Sequence, residues 1–242
     1  MSIDPTAELK ELRQRYPWPQ IQPDFFPIRW SLDGGGRWMV EQRIRERKLR
    51  IILEIGSFLG GSVEQWLQID PNLIVIAVDP WPECDIADYA RRSGRSEEEA
   101  TQLERPDGFY QTFLSNFWNQ RDRVIPVREY SPAVLHELAL LGLRPDLIYL
   151  DCDKSGTEIE LCHKLFPNAL MTGDDWQWQN EAGEFPIREP VEAFCKQHDR
   201  YLKTENATWI IDDQPPSLSF RFRTLRRSIK QRFKDRKASR AA

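Results

Sequence analysis

The run Ile51-Ile52-Leu53-Glu54-Ile55-Gly56-Ser57-Phe58-Leu59-Gly60-Gly61-Ser62 constrains the chain more than any other stretch. Its first five residues are apolar and rich in β-branched side chains around a single carboxylate, which predicts a buried strand. Gly56, Gly60 and Gly61 then break the run. Ser62-Val63-Glu64-Gln65-Trp66-Leu67 resumes at helical spacing, with Ser57 or Ser62 available as an N-cap. Strand, glycine-rich turn and helix form the opening unit of a ligand-binding α/β fold. There the glycines let a ligand approach the backbone and the helix start offers free N–H groups. The spacing matches neither the Gly-x-Gly-x-x-Gly of a pyrophosphate site nor a P-loop. Glu54 instead gives Glu-x-Gly-x-x-x-Gly, and a carboxylate beside the ligand repels pyrophosphate but suits a cation or an amine. A glycine-rich turn without any ligand is the plainer alternative.

The strands that follow extend this unit. Asn72–Val78 predicts a second buried strand ending in Asp79, 25 residues after Glu54, as a βαβ repeat requires. A carboxylate at that tip can accept hydrogen bonds from two ribose hydroxyls, or it can merely cap the turn at Asp79-Pro80. Arg123–Arg128 predicts a third strand. Tyr130 and Ser131 follow it, before a helix running to Leu141, and either is placed to touch an adenine. Asp146–Asp151 and Asn168–Gly173 predict two more strands, and Lys203 to Ile211 the late ones with an antiparallel edge. The expected fold is therefore α/β and Rossmann-like: a mostly parallel central sheet of about seven strands with helices on both faces.

Asp151, Asp174 and Asp175 all fall at the ends of adjacent parallel strands. Together they can offer hard oxygen ligands to Mg²⁺ or a similar ion, and without a cation they would repel one another. Helix capping by Asp175 and solvation of the other two is the competing reading. Trp176 and Trp178 either wall a substrate pocket or fill core.

Elsewhere the chain is less patterned. Residues 1–49 form a segment rich in proline and aromatic residues (Tyr16-Pro17-Trp18-Pro19, Phe25-Phe26-Pro27) with an opening helix over Thr6–Arg15. Gly34-Gly35-Gly36 reads as a flexible linker before a helix over Arg37–Leu49. Cys84 to Asn119 reads as a polar insertion with two short helices, lying where substrate covers sit. The body, residues 50–213, is followed by a tail, 214–242. From Arg221 to Arg240 that tail has ten basic residues against Asp235 alone, a net +9 that leaves the rest of the −4 chain at −13.

The motifs carry a family resemblance. Glu54-x-Gly56-x-x-x-Gly60 resembles the first motif of the class I S-adenosylmethionine-dependent methyltransferases, whose ligand carries a sulfonium and an amine but no phosphate. Leu150-Asp151-Cys152-Asp153-Lys154 and Gly173-Asp174-Asp175 are similar to the two acidic motifs of metal-dependent O-methyltransferases related to catechol O-methyltransferase. They are also similar to those of the macrocin-type sugar O-methyltransferases. The resemblance spans residues 50 to 212. It implies S-adenosyl-L-methionine held by Glu54, Gly56, Ser57, Gly60, Asp79, Tyr130, Ser131 and Asp151. It further implies Mg²⁺ or another divalent cation on Asp151, Asp174 and Asp175, with Lys154 and Asp151 catalytic. Lys154 matches the general base of the catechol enzymes. The sugar-type group has a histidine there, so this chain departs from it.

The expected function is methyl transfer from S-adenosylmethionine to a hydroxyl of a small-molecule acceptor. The alternatives are a cofactor-binding scaffold without turnover and a nucleic-acid methyltransferase using the basic tail. The acidic body and the lack of an Asn-Pro-Pro-Tyr signature argue against nucleic acid. In the tail Phe222, Leu225, Ile229 and Phe233, spaced by three and four, suggest an amphipathic helix with a basic face for a membrane surface, a nucleic acid or the acidic body of a neighbouring subunit in a homo-oligomer, or a solvated helix with no partner. Four scattered cysteines, no export-type leader and no apolar run near the roughly 20 residues that span a bilayer fit a cytoplasmic protein.

Overall fold

The computed structural model describes residues 9–31, 34–83, 85–152 and 156–215. Three expectations lie partly or wholly outside them: the start of the opening helix at Thr6, Lys154 as the general base, and the basic tail's amphipathic helix. Two helices, α1 (Lys10–Arg15) and α2 (Trp38–Arg47), lead into β1 (Ile51–Ile55) and α3 (Gly61–Leu67). After β2 (Ile74–Val78) come α4 (Ile86–Arg92), α5 (Glu97–Glu104) and α6 (Gly108–Phe117). The remainder alternates as β3 (Val124–Val127), α7 (Ala133–Leu140), β4 (Leu147–Leu150), α8 (Glu158–Leu165) and β5 (Leu170–Gly173). It closes with α9 (Arg188–Gln197), β6 (Tyr201–Glu205) and β7 (Thr208–Asp212).

The seven strands form one sheet in the order β3-β2-β1-β4-β5-β7-β6, with β7 antiparallel to both its neighbours. Side chains alternate across the sheet, as the two-residue period of a strand demands. Ile52, Val75 and Leu147 pack under α2, α3 and the inserted helices, whereas Leu53, Ile76 and Ile148 pack under α1, α7, α8 and α9. Each aliphatic side chain buried this way contributes about 2 kcal/mol. Both faces being covered explains why central strands such as β1, β2 and β4 read as nearly unbroken apolar runs. The order reverses between β1 and β4, so a crevice opens beyond Ile55 and Leu150, the position where open α/β sheets bind ligands.

Two expectations need correction. The Cys84–Asn119 insertion contains three helices, not two; the capping box of Ser96 and Glu99 starts the middle one. The glycine triplet is no free linker. Gly35 O accepts from the Ala207 N–H at 3.1 Å and from Thr208 Oγ1 at 3.0 Å, which clips it to the β6–β7 hairpin. Gly36 sits at φ +102°, and a Cβ there would fall 1.9 Å from Glu205 O, so only glycine lets the two backbones meet. Among the described residues no helix is long and apolar enough to cross a membrane.

Candidate active site

The loop after β1 is shaped by its glycine and by the carboxylate of the next strand. Gly56 has φ +90°, and a Cβ on it would lie 2.1 Å from Asp151 O at the end of β4. The chain can therefore turn over the neighbouring strand only without a side chain. Phe58 is also left-handed, at φ +50°, and its N–H donates to Asp79 Oδ2 at 2.9 Å. The Trp81 N–H donates to the other carboxylate oxygen at 2.8 Å, and the Trp81 indole donates to Phe58 O at 2.6 Å. Asp79 thus ties the tips of β1 and β2 together. Burial raises its pKa from the ordinary value, against the two backbone donors.

Two cavities, each of about 370 Å³, flank this loop. One runs over Asp79, Tyr130, Ser131 and Glu158. The other runs over Ser57, Asp174 and Asp175, between the rings of Trp30, Tyr89 and Trp178. Gly56, Phe58 and Asp151 line both and form the wall between them. Trp30 and Tyr89 stack with ring centres 5.4 Å apart, and Phe58 meets Trp30 edge-on at 5.3 Å, so one flank of the second cavity is a continuous aromatic surface.

Two residues of the glycine motif face elsewhere. Glu54 is wholly buried and accepts from Ser62 Oγ and Trp66 Nε1, both at 2.7 Å; it lines neither cavity. Gly60 also lines neither, and serves packing: at φ +82° its missing Cβ makes room for Phe117, 2.1 Å from where that atom would stand. Trp176 packs on the core and under the Arg188 guanidinium, while Trp178 is 40% exposed at the cavity. Lys154 and Asp153 lie outside the described residues.

The acidic cluster departs most from expectation. Arg37, at the N-terminal end of α2 and 3% exposed, lies across it. Its Nη2 donates to Asp174 Oδ2 at 3.1 Å and stands 3.7 Å from Asp151 Oδ2. Its Nε donates to the Tyr149 hydroxyl at 3.1 Å, and Nη1 to Ser31 Oγ at 3.3 Å. The Tyr149 hydroxyl in turn donates to Asp174 Oδ2 at 3.1 Å, and Asp174 Oδ1 accepts from the Asp175 N–H. Burial alone would lower the guanidinium's pKa, but Tyr149, Asp174 and Asp151 outweigh it and hold the cation above its ordinary value. Among the described residues no group of three or more His, Cys, Asp or Glu side chains is arranged to hold a metal ion. The expected divalent ion on Asp151, Asp174 and Asp175 therefore does not fit: both oxygens of Asp174 are engaged and a fixed positive charge occupies the junction. Arg37 and Tyr149 went unrecognised in the sequence. The one local signal was Tyr149, a polar-tipped ring in an otherwise aliphatic strand.

No protein-family model and no curated protein matches the sequence. Solved structures do resemble the fold. One is the O-methyltransferase TomG from Streptomyces achromogenes, involved in tomaymycin synthesis and solved with S-adenosylmethionine. It is 15% identical with a TM-score of 0.50, over 88% of this chain and 91% of that one. Cofactor-bound Rv0187 from MTB is 16% identical at a TM-score of 0.50, over 87% and 90%. A proposed caffeoyl-CoA O-methyltransferase from Staphylococcus aureus is 14% identical at 0.50, over 87% and 93%. With the strand order and the crevice at its reversal, this likeness establishes that the chain has the α/β, Rossmann-like fold of S-adenosylmethionine-dependent O-methyltransferases.

Proposed function

We propose that this chain is an S-adenosylmethionine-dependent methyltransferase that methylates a hydroxyl of a small molecule. The observation that carries the reading is the pair of cavities meeting at Gly56, Phe58 and Asp151 over the sheet's reversal point. The cofactor supplies an already electrophilic methyl group, so the protein's work is to position and to exclude water. In this reading Asp79 accepts from the ribose hydroxyls, which a carboxylate can do beside its two backbone donors because it has about four acceptor positions. Tyr130 and Ser131 flank the adenine. The methyl passes between the cavities, and the acceptor lies against the Trp30–Tyr89 face. Asp151, which borders both cavities, takes the hydroxyl proton. TomG, similar in fold and solved with S-adenosylmethionine, supports the cofactor assignment.

Calorimetric titration with S-adenosylhomocysteine tests this. Intact protein should bind with a Kd of about 1–10 μM, and Asp79→Ala should weaken it by tenfold or more, roughly 1.4 kcal/mol. Absence of binding to the intact protein would remove the reading.

A further inference from the structure

We infer that Arg37 supplies in this chain the positive charge that a divalent ion would supply, so that the acidic site is complete without metal. The inference concerns the same site as the methyltransferase reading and rests on it for its catalytic meaning. The guanidinium is buried, and it reaches both Asp151 and Asp174 from one nitrogen, at 3.7 and 3.1 Å. It is itself fixed by Tyr149 and Ser31, and it lies 5.8 Å from the Tyr149 ring centre. A hard ion such as Mg²⁺ asks for about six oxygens at roughly 2.0–2.1 Å and gives up water reluctantly. Here Asp174 Oδ2 already accepts two hydrogen bonds and Oδ1 a third. Placing an ion among these oxygens would bring it against a cation that cannot lose its proton.

The arrangement has its own chemical logic. Two carboxylates on neighbouring strands would repel each other and drift toward protonation if left bare. Arg37 keeps Asp174 paired and holds a charge beside Asp151, which remains 23% exposed at the wall between the cavities. Arg37 is in this sense a positioning residue: it acts on the acceptor through Asp151. The docked glycine triplet delivers it. Gly36 meets Glu205 of the β6–β7 hairpin, and the next residue, Arg37, stands at the N-cap of α2 and donates to the Tyr149 hydroxyl.

The test is titration of Mn²⁺ into the full chain, followed by the electron paramagnetic resonance of the free ion. The intact protein should leave Mn²⁺ free, and its S-adenosylhomocysteine affinity should be the same with and without a chelator. Arg37→Gln, which removes the charge but keeps a polar side chain, should bind one Mn²⁺ per chain, and adding Asp174→Asn should abolish that binding. Arg37→Lys, which restores the charge, should again leave Mn²⁺ free. Stoichiometric Mn²⁺ binding to the intact chain that is lost in Asp174→Asn would overturn the inference. So would a folded Arg37→Gln that takes up no ion. If Arg37→Gln does not fold, the titrations of the intact chain and of Arg37→Lys still decide. Absence of S-adenosylhomocysteine binding would count against the methyltransferase reading alone, because the Mn²⁺ result is read independently of it.

Discussion

At the scale of single residues, Glu54 shows how a motif position can be used from within. Its carboxyl lies on the face of β1 that meets α3, and two donors of that helix, Ser62 and Trp66, close on it. Burial pushes its pKa from about 4.5 up to about 7, against the lowering effect of Ser62 and Trp66. The sign of the consequence follows from linkage. Between those values the folded state keeps a proton that the unfolded chain has lost, so stability falls as pH rises from roughly 4.5 to 7 and is level above. The displacement corresponds to about 3 kcal/mol. Glu54→Gln can still accept from Trp66 and can donate to Ser62, but has no proton to exchange. Urea unfolding at pH 5 and pH 8 should therefore show a drop in the midpoint for the intact chain and a much smaller one in Glu54→Gln. An unchanged drop would mean that other groups set the pH dependence.

At the scale of elements, β1, β2, β4 and β5 were legible because each is buried along its whole length and runs into a glycine or an aspartate. Ile51–Ile55, Ile74–Val78 and Leu147–Leu150 are nearly pure aliphatic runs, and a parallel sheet leaves little else that such runs can do. Gly56, Asp79 and Asp151 were legible for the same reason, since strand tips on one sheet edge must converge. The direction of Glu54 was not. It depends on which face of β1 receives α3, and the signal lay in Ser62 and Trp66, two polar atoms four residues apart on the buried side of that helix. Arg37 was less legible still, because it meets Asp174 across 137 positions and only through the docked glycine triplet. That docking can be tested directly. Gly36→Ala puts a side chain at φ +102° and 1.9 Å from Glu205 O, so the triplet must leave the hairpin. A loss of about 2 kcal/mol or more is expected. Hydrogen exchange should rise in residues 34–37 and in the β6–β7 hairpin before it rises in β1 and β4.

At the scale of the whole molecule, the N-terminal segment, the insertion and the glycine loop close on the second cavity as one assembly. Gln102 of α5, 3% exposed, joins the first two: its Oε1 accepts from the Phe26 N–H at 2.9 Å and its Nε2 donates to Phe26 O at 2.8 Å, as a strand neighbour would. Asn116 of α6 joins all three, donating to Ile28 O at 3.0 Å and to Leu59 O at 2.8 Å. Between them the chain carries Trp30 to its stack on Tyr89. The aromatic flank of the cavity is therefore held by amides some distance from it. Gln102→Leu keeps the bulk but leaves the Phe26 N–H and C=O without partners, which costs about 1–3 kcal/mol. The expected result is faster hydrogen exchange over residues 24–30 and a weaker hold on any acceptor that quenches Trp30. S-adenosylhomocysteine affinity should stay within about threefold, under 1 kcal/mol, because Asp79, Tyr130 and Ser131, to which the proposed function assigns the cofactor, stand on the other side of the Gly56–Phe58 wall. A loss of S-adenosylhomocysteine affinity as large as the loss of protection in residues 24–30 would mean that the two cavities open together, and that the segment supports both cavities rather than the Trp30–Tyr89 side alone.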